Sequence, residues 1–381
     1  MTPHTATGPT ARRVLVIGAG VAGLSLAVAL RRGGIDVDVV DTDGRAEGAS
    51  IGLTNRAVDV LEKLDLLADC TAAGNALTGS VFDRMYDAAG APLPLPPVPA
   101  RADSRLPGAV VIHRGELARI LREHAQREGA TVRTGLTAER LVTHADGVEV
   151  TLTDGTVSRY DLVVGADGIN SWTREQIHGD KVRPQYTGHM SLRWLLHDAP
   201  DVEPGFYNSR HTTVILGLLR GGTVYVSTGC DLPLTRVEPE RARELLRELL
   251  EDFTAPSLRV VRERLTGEAA VLARPYEWLL VPAPWHSGRV TLIGDAAHAT
   301  TAHLSSGGAM ALEDAVVLAR ELARTGSVGE ALDRFTAARL DRVRTVVDTS
   351  VELMRMQQRS ADPRAMAMLR GRAMAVLSTP Y

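Results

Sequence analysis

The stretch ARRVLVIGAGVAGLSLAVALRRGGIDVDVVD, residues 11–41, decides the fold. Val14 to Ile17 is a short unbroken apolar run stopped by glycine, the pattern of a parallel strand buried on both faces. Residues 21–33 are rich in Ala and Leu and predict a helix, and Asp36 to Val40 is β-branched again. Strand, helix and strand in that order predict a βαβ unit. Gly18, Gly20 and Gly23 occupy the strand-to-helix turn in G-x-G-x-x-G spacing. The first glycine makes the turn, the second lets backbone approach a pyrophosphate, and the third packs helix on sheet. The helix start at Val21 and Ala22 adds free N–H groups and a positive dipole for phosphates. Asp41, closing the second strand, is placed to accept hydrogen bonds from an adenosine ribose. These features predict a dinucleotide site, and they do not separate NAD from FAD.

Working outward, Val110 to Ile112, a helix over 115–128 and a strand around Val132 read as a second turn of the same logic. Val148, Val150 and Leu152 then alternate ahead of Asp154-Gly155, a hairpin signal. Residues 91–107 carry Pro92, Pro94, Pro96, Pro97, Pro99 and Pro107 and are read as a surface crossing between domains. Between about 183 and 284 the texture changes. Thr212–Leu219 and Thr223–Thr228, split by Gly221-Gly222, predict an antiparallel pair, and a helix over about 238–252 follows. Arg289 to Ile293 returns to a buried-strand pattern, and helices dominate from Gly307 onward. Leu332, Phe335, Val343, Val346, Val347, Val351 and Met354 keep helical spacing and predict a packed face.

Composition bounds the function. At 381 residues the chain exceeds the size at which one core stops growing, so two domains are expected. With 44% hydrophobic and 23% charged residues it is neither a disordered chain nor a membrane bundle. The balance of 43 basic and 46 acidic residues provides no field for nucleic acid or an anionic membrane. Cys70 and Cys230 share no neighbourhood with a His/Cys cluster, which argues against a metal site and a disulfide framework and suits a reducing, cytoplasmic compartment. Arg12-Arg13 before an apolar run resembles an export signal superficially, but Gly18, Gly20 and Gly23 interrupt the run and no small-residue cleavage pattern follows.

Two further motifs carry chemistry. In Arg289–His298 a buried-strand pattern ends at Gly294-Asp295, and Ser305-Ser306-Gly307-Gly308 opens a helix through Leu322. A carboxylate at a strand end accepts from polyol hydroxyls, and a glycine-opened helix start aims N–H donors at developing negative charge. A flavin has both needs, in its ribityl chain and its reduced ring. In Asp161–Arg174 an apolar strand ends at Gly165, followed by Asp167, Gly168 and Arg174, a strand end where backbone can touch a pyrophosphate.

These three motifs in this order resemble the class A flavoprotein monooxygenases of the para-hydroxybenzoate hydroxylase fold, over nearly the whole chain and most weakly over 74–107 and 183–284. The resemblance implies an α/β fold: a Rossmann-like FAD-binding domain with an inserted antiparallel β-sheet substrate domain and C-terminal helices. The expected division is 1–73, 108–182 and 285–345 for FAD, 74–107 and 183–284 for substrate, and 346–381 as a C-terminal helical segment. By similarity, Gly18, Gly20, Val21, Ala22, Gly23 and Asp41 hold the ADP part of FAD, and Gly294 and Asp295 the ribityl chain, with Gly307 and Gly308 beside the ring. Arg114 contacts the flavin nucleotide. Asp167 and Gly168, supported by Arg174, serve FAD and a transient nicotinamide nucleotide. Gly52 and Leu53 lie near the isoalloxazine, and Arg45 just before them helps bind FAD or time its movement. The chain departs from the family where one or two prolines usually follow the Gly-Asp-Ala-Ala-His segment: it has Thr301 and Ala302 there, and Ser306 before the glycine pair. Asp41 stands where Glu is commoner.

The activity implied is FAD-dependent monooxygenation: NADH or NADPH reduces FAD, O2 adds to form a C4a-hydroperoxide, and one oxygen passes to a small organic substrate, aromatic and polycyclic compounds among the candidates. The cofactor carries the hard chemistry, so few obligatory catalytic side chains are expected. His298, His303, Arg193, His211 and Tyr225 are the side chains suited to an acidic substrate, each with the structural role favoured, and no base is nominated. The alternatives are a reductase or halogenase on the same fold, a flavin-binding protein without turnover, and a plain NAD dehydrogenase. No Trp-x-Trp-x-Ile-Pro segment, expected of a halogenase, occurs. The substrate, the choice of nicotinamide nucleotide, the type of oxygen insertion and the oligomeric state are not legible.

Overall fold

The computed structural model describes residues 10–43, 50–54, 56–79, 81–93, 105–324 and 326–381. The apolar run near the N-terminus forms the strand Arg13–Ile17 at the middle of a six-stranded sheet. On one side it pairs parallel with Asp36–Asp41, which pairs in turn with Thr131–Thr134. On the other side it pairs parallel with Leu162–Gly165, which pairs with Val290–Leu292, and the antiparallel strand His286–Ser287 closes that edge. Alternate residues of the first strand serve two cores. Val14 and Val16 join the cluster made with helices Val21–Arg32, Arg114–Arg127 and Gly307–Leu322, while Leu15 and Ile17 face Val148, Val150 and Leu152. Those last residues belong to a three-stranded antiparallel sheet, Ala138–His144, Gly147–Leu152 and Val157–Tyr160, with the expected turn at Asp154-Gly155. Burial on both faces explains the run of aliphatic residues without polar interruption. Each such side chain removed from water contributes about 1.5–3 kcal/mol.

The second βαβ unit expected from the sequence is not formed as such. Ala109–His113 leaves the central sheet and pairs antiparallel with Ser50–Thr54 and Asn75–Leu77 in a separate three-stranded sheet. Only the strand after the helix, Thr131–Thr134, joins the parallel sheet. The elements are where the pattern puts them, but a short apolar run says nothing about which sheet will accept it.

A second six-stranded sheet runs in the order Leu272–Trp278, Gln185–Leu196, Val224–Asp231, Thr213–Leu218, Gly205–Asn208, Met85–Asp87. The predicted pair around Gly221-Gly222 is present, with Leu218 opposite Val224 and Ile215 opposite Ser227. Leu192, Trp194, Leu196, Val214, Leu216, Val224 and Val226 pack against helices Pro239–Leu250 and Pro256–Arg264. The alternate residues Arg193, Leu195, Ile215, Tyr225 and Ser227 therefore turn to the opposite face, toward a cleft beside the parallel sheet.

At the C-terminal end, Ser327 and Glu330 form a capping box that starts the helix Val328–Gln358, which runs unbroken through residue 345, where the expected division of the chain falls. Its seven apolar positions singled out by spacing are all buried. The helix Pro363–Ser378 completes the described chain. Residues 94–104, the middle of the proline-rich crossing, lie outside the described residues. Among the described residues no helix is long and apolar enough to cross a membrane.

Candidate functional site

The glycine turn is built as its spacing requires. Gly18 adopts φ +109°, and a Cβ there would lie 2.2 Å from the Ala166 carbonyl oxygen. A Cβ on Gly23 would lie 2.0 Å from the Gly18 oxygen, so helix and turn touch backbone to backbone. Gly20, by contrast, has nothing within 4 Å of its Cβ direction. It faces open space, and with Val21 and Ala22 it lines the cleft. Asp41 accepts from the Ala19 N–H at 2.6 Å and from the Asp43 N–H at 3.1 Å, which ties the second strand to the turn.

The distant motif at 294–308 meets this turn directly. Gly294 has φ +58°, and a Cβ there would stand 2.8 Å from the Ala22 side chain. Its N–H donates to Asp314 Oδ2 at 2.9 Å. That carboxylate also binds His298 Nε2 at 2.6 Å and, through Oδ1, Arg339 Nε at 2.8 Å. Arg339 and Arg342 share Glu313 at 2.6–2.9 Å, and Arg342 reaches the carbonyls of Val376, Leu377 and Thr379. The turn carrying Asp295 thus rests on a buried, fully paired charge network, the form in which buried charge is tolerated. Burial raises the Asp314 carboxyl, but the charges of His298 and Arg339 and the bonds it accepts override this, leaving it below its ordinary value.

Asp295 itself opens onto the cleft, its side chain exposed there. Desolvation by neighbouring atoms raises its pKa, opposed by His298 and Arg114. Arg114, at the start of its helix, lines the same cleft; desolvation lowers its pKa, Asp295 raises it, and Arg193 lowers it further. Gly307 and Gly308 open the helix Gly307–Leu322 at the cleft wall, where a Cβ on Gly308 would strike Ile51 at 2.5 Å. Gly52 lines the cleft as well. Leu53 is buried beneath it against Gly308. Ala302–Leu304 forms a 3-10 turn and Ser305 adopts φ +48°, so the prolines' place is taken by a compact non-proline turn.

Some expected residues act behind the wall. Asp167 accepts from Ser171 Oγ at 2.5 Å and from Thr173 N and Oγ1 at 2.8 and 2.9 Å, capping the helix Trp172–His178. Arg174 is buried and donates to the carbonyls of Ile169, Val182 and Ala296. It braces the loop whose Gly168 lines the cleft. Arg45 lies outside the described residues. His298 is bound to Asp314 and buried, and His211 sits exposed in a turn. His303 bonds Thr301 Oγ1 at 3.1 Å and packs 5.3 Å from the Tyr276 ring; burial, with His189 and Arg370, pushes its pKa down to about 3.

The facing wall is the second sheet. Arg193 donates from Nε to Ser191 Oγ at 2.8 Å. Tyr276 lies beside the hydroxyls of Ser191 and Ser227; burial raises its pKa and the Arg193 charge opposes that. Tyr225 joins them on the cleft. Ser191 and Tyr276 are absent from the sequence expectations. The signal for Ser191 was available in the polar residues at alternate positions of a strand whose other face is apolar, whereas Tyr276 arrives through pairing with a distant strand. The cleft between the two walls measures about 1940 Å³, ample for a dinucleotide and a small substrate together.

A family model described as an FAD binding domain matches residues 11–350. The 3-amino-4-hydroxybenzoate 2-monooxygenase of Streptomyces cremeus is 34% identical over 346 residues, covering 88% of this chain and 84% of the relative. An FAD-dependent urate hydroxylase of Klebsiella pneumoniae is 30% identical over 350 residues, 88% of each chain. The crystal structure of Klebsiella pneumoniae HpxO complexed with FAD and uric acid superposes with a TM-score of 0.78 at 26% identity, over 96% of this chain and 95% of that one.

Proposed function

The chain belongs to the FAD binding domain family, as an FAD-dependent oxidoreductase of the monooxygenase type, and on that premise we propose that it oxygenates a small organic acid or phenol using NADH or NADPH and O2. The balance is substrate, O2, NAD(P)H and a proton to oxygenated substrate, NAD(P)+ and water. The observation that carries the reading is the contact of Gly294 with Ala22, which joins the N-terminal turn and the Asp295 turn into one wall of one cleft. The open space over Gly20 and the glycine-opened helix at Gly307 on the cleft wall suit FAD, while Gly18 and Gly308 are demanded by the protein's own packing, against backbone and against Ile51.

In this reading the N–H groups of Gly20, Val21 and Ala22 receive the pyrophosphate, and Asp41, already tied to the turn, borders the ribose. Asp295 accepts from the ribityl hydroxyls, with Arg114 beside it and Gly52 and Gly168 allowing close approach. The helix N-terminus at Gly307 and Gly308 directs its dipole at negative charge on the ring. Bound FAD supplies hydride acceptance and electron delivery to oxygen. The chain's own residues then bind, orient and exclude water. Arg193, held by Ser191, receives the anionic group of the substrate, and Tyr225 and Tyr276 border it. The urate hydroxylase and aminohydroxybenzoate monooxygenase relatives carry names of acidic planar substrates, which supports that class. The inserted sheet is the substrate unit in this scheme. Two free thiols, Cys70 and Cys230, accord with a cytoplasmic setting.

The test is a screen of acidic aromatic and heterocyclic compounds for stimulated NAD(P)H consumption by FAD-loaded protein, with mass analysis of products. A product heavier by one oxygen atom is expected. Stimulated NAD(P)H use with a product gaining two hydrogens and no oxygen would replace the reading with a reductase.

A further inference from the structure

The C-terminal helix Pro363–Ser378 carries a cation that the scheme above does not use. Arg370 lies with its guanidinium carbon 4.9 Å above the Phe82 ring and Nη1 3.9 Å from the Met85 sulfur. Its Nε is sealed from solvent and has no acceptor among the described residues. Two buried arginines of this region behave differently from Arg370, which is half-buried. Arg339 and Arg342 each meet Glu313, and Arg339 also meets Asp314. Burial pushes Arg370 down to about 10, with no carboxylate among the described residues opposing it. Aromatic and thioether contacts offset part of the desolvation of a guanidinium but do not replace an anion.

The part of Arg370 that is not sealed opens on a crevice of about 40 Å³, separate from the main cleft. A single water needs roughly 10–15 Å³ on this measure, so the space suits a small oxyanion in place of about three waters. Its rim is the turn between strands Gly205–Asn208 and Thr213–Leu218, closed by Ser209 N donating to the Thr212 carbonyl at 2.9 Å. The two residues at the tip of that turn are Arg210 and His211, both exposed. Asp252 stands at the rim, accepting from Ser209 Oγ at 3.3 Å, and Asp231 is engaged by His189 and Gln358 at 2.6 and 2.8 Å.

We propose that this crevice is a second ligand site, taking a carboxylate or phosphate group that pairs with Arg370 and enters past Arg210 and His211. Phe82, under the Arg370 guanidinium, packs at a tilt against Phe206 with ring centroids 5.1 Å apart, and Phe206 lines the main cleft. Occupancy would order the C-terminal helix against the substrate-side sheet.

The experiment titrates FAD-loaded full-length protein with inorganic phosphate and, separately, with acetate, at ionic strength matched with chloride, following heat by calorimetry and the thermal midpoint. Saturable binding of phosphate alone assigns the site to phosphate groups, of acetate alone to carboxylates, and of both to either group. Arg370→Met is expected to weaken that binding roughly tenfold to a hundredfold, the range for a charge-assisted hydrogen bond. Arg210→Ala, exposed and unable to disturb folding, is expected to weaken it severalfold. These comparisons are made in an Arg193→Met background, where the anion receptor of the main cleft is absent, so binding there is not mistaken for binding at Arg370 and failure here is distinct from failure of the oxygenation reading. No binding above chloride by either anion, or binding that survives in Arg370→Met, overturns the proposal.

Discussion

Asp314 is the side chain on which the Asp295 turn rests, and replacing it tests whether that support matters. It is fully buried and accepts from three donors: Gly294 N–H, His298 Nε2 and Arg339 Nε. Asp314→Ala leaves all three without an acceptor. A buried unsatisfied donor costs about 1–3 kcal/mol and a broken buried pair about 3–5 kcal/mol. The donors share one carboxylate, so these terms overlap, and a loss of about 3–5 kcal/mol is expected. In a domain of this size that lowers the thermal midpoint by roughly 6–20 °C. Denaturant unfolding followed by circular dichroism measures the loss, and flavin absorbance after gel filtration measures FAD retention, which should fall with it because Gly294 is no longer held. Removing as well the cation that has lost one of its two carboxylates, in Asp314→Ala/Arg339→Met, should recover part of the stability, a coupling of about 0.5–3 kcal/mol. Acidity has a definite sign. The folded carboxyl lies below its ordinary value because His298 and Arg339 outweigh burial, so its contribution is present above the unfolded value, about 3.9, and disappears as pH falls below that toward the folded value. Asp314→Asn should lack that acid-dependent loss. A single variant with an unchanged midpoint and stoichiometric FAD would refute the reasoning.

Other outcomes follow from the same geometry. Asp295→Ala should remain folded, by circular dichroism, while losing most bound FAD; full flavin content after gel filtration contradicts the role given to that carboxylate. Arg193→Met should raise KM for an anionic substrate roughly tenfold to a hundredfold, with a smaller change in kcat, and equal effects on an uncharged analogue would count against it. Gly18→Ala must both adopt φ +109° and displace the Ala166 carbonyl, so a loss of at least about 3 kcal/mol is expected in denaturant unfolding. Burial pushes the thiols of Cys70 and Cys230 up to about 12 and 11, so a thiol reagent at neutral pH should label the native protein far more slowly than the unfolded one.

Local pattern made the first βαβ unit and its glycine turn legible, because the turn's demands are steric and fall on residues adjacent in sequence. The hairpin around Gly221-Gly222 was legible for the same reason. What the sequence concealed is choice of partner. Ala109–His113 looks like any buried strand, and only the assembled molecule reveals that Ser50–Thr54 and Asn75–Leu77 accept it. Asp167 and Arg174 flank the Gly168 loop of the cleft but present their polar atoms to backbone and hydroxyls behind it, a side-chain direction that motif spacing does not encode. Tyr276 reaches the substrate wall through a strand pairing that carries a register shift between Tyr186 and Met190, which no periodicity announces.

The strand Val290–Leu292 has one further consequence, for the order of assembly. It is the neighbour of Leu162–Gly165 in space but emerges roughly 125 residues later, a delay of about 6–25 s at ribosomal rates of 5–20 residues per second. During that interval Leu162–Gly165 offers an unpaired edge, a hazard for mispairing in a growing chain. In the proposed scheme the prosthetic group has no complete seat until the segment through Gly308 has been made, so loading is expected to follow synthesis of that segment, and fragments ending before residue 290 should be sticky and colourless.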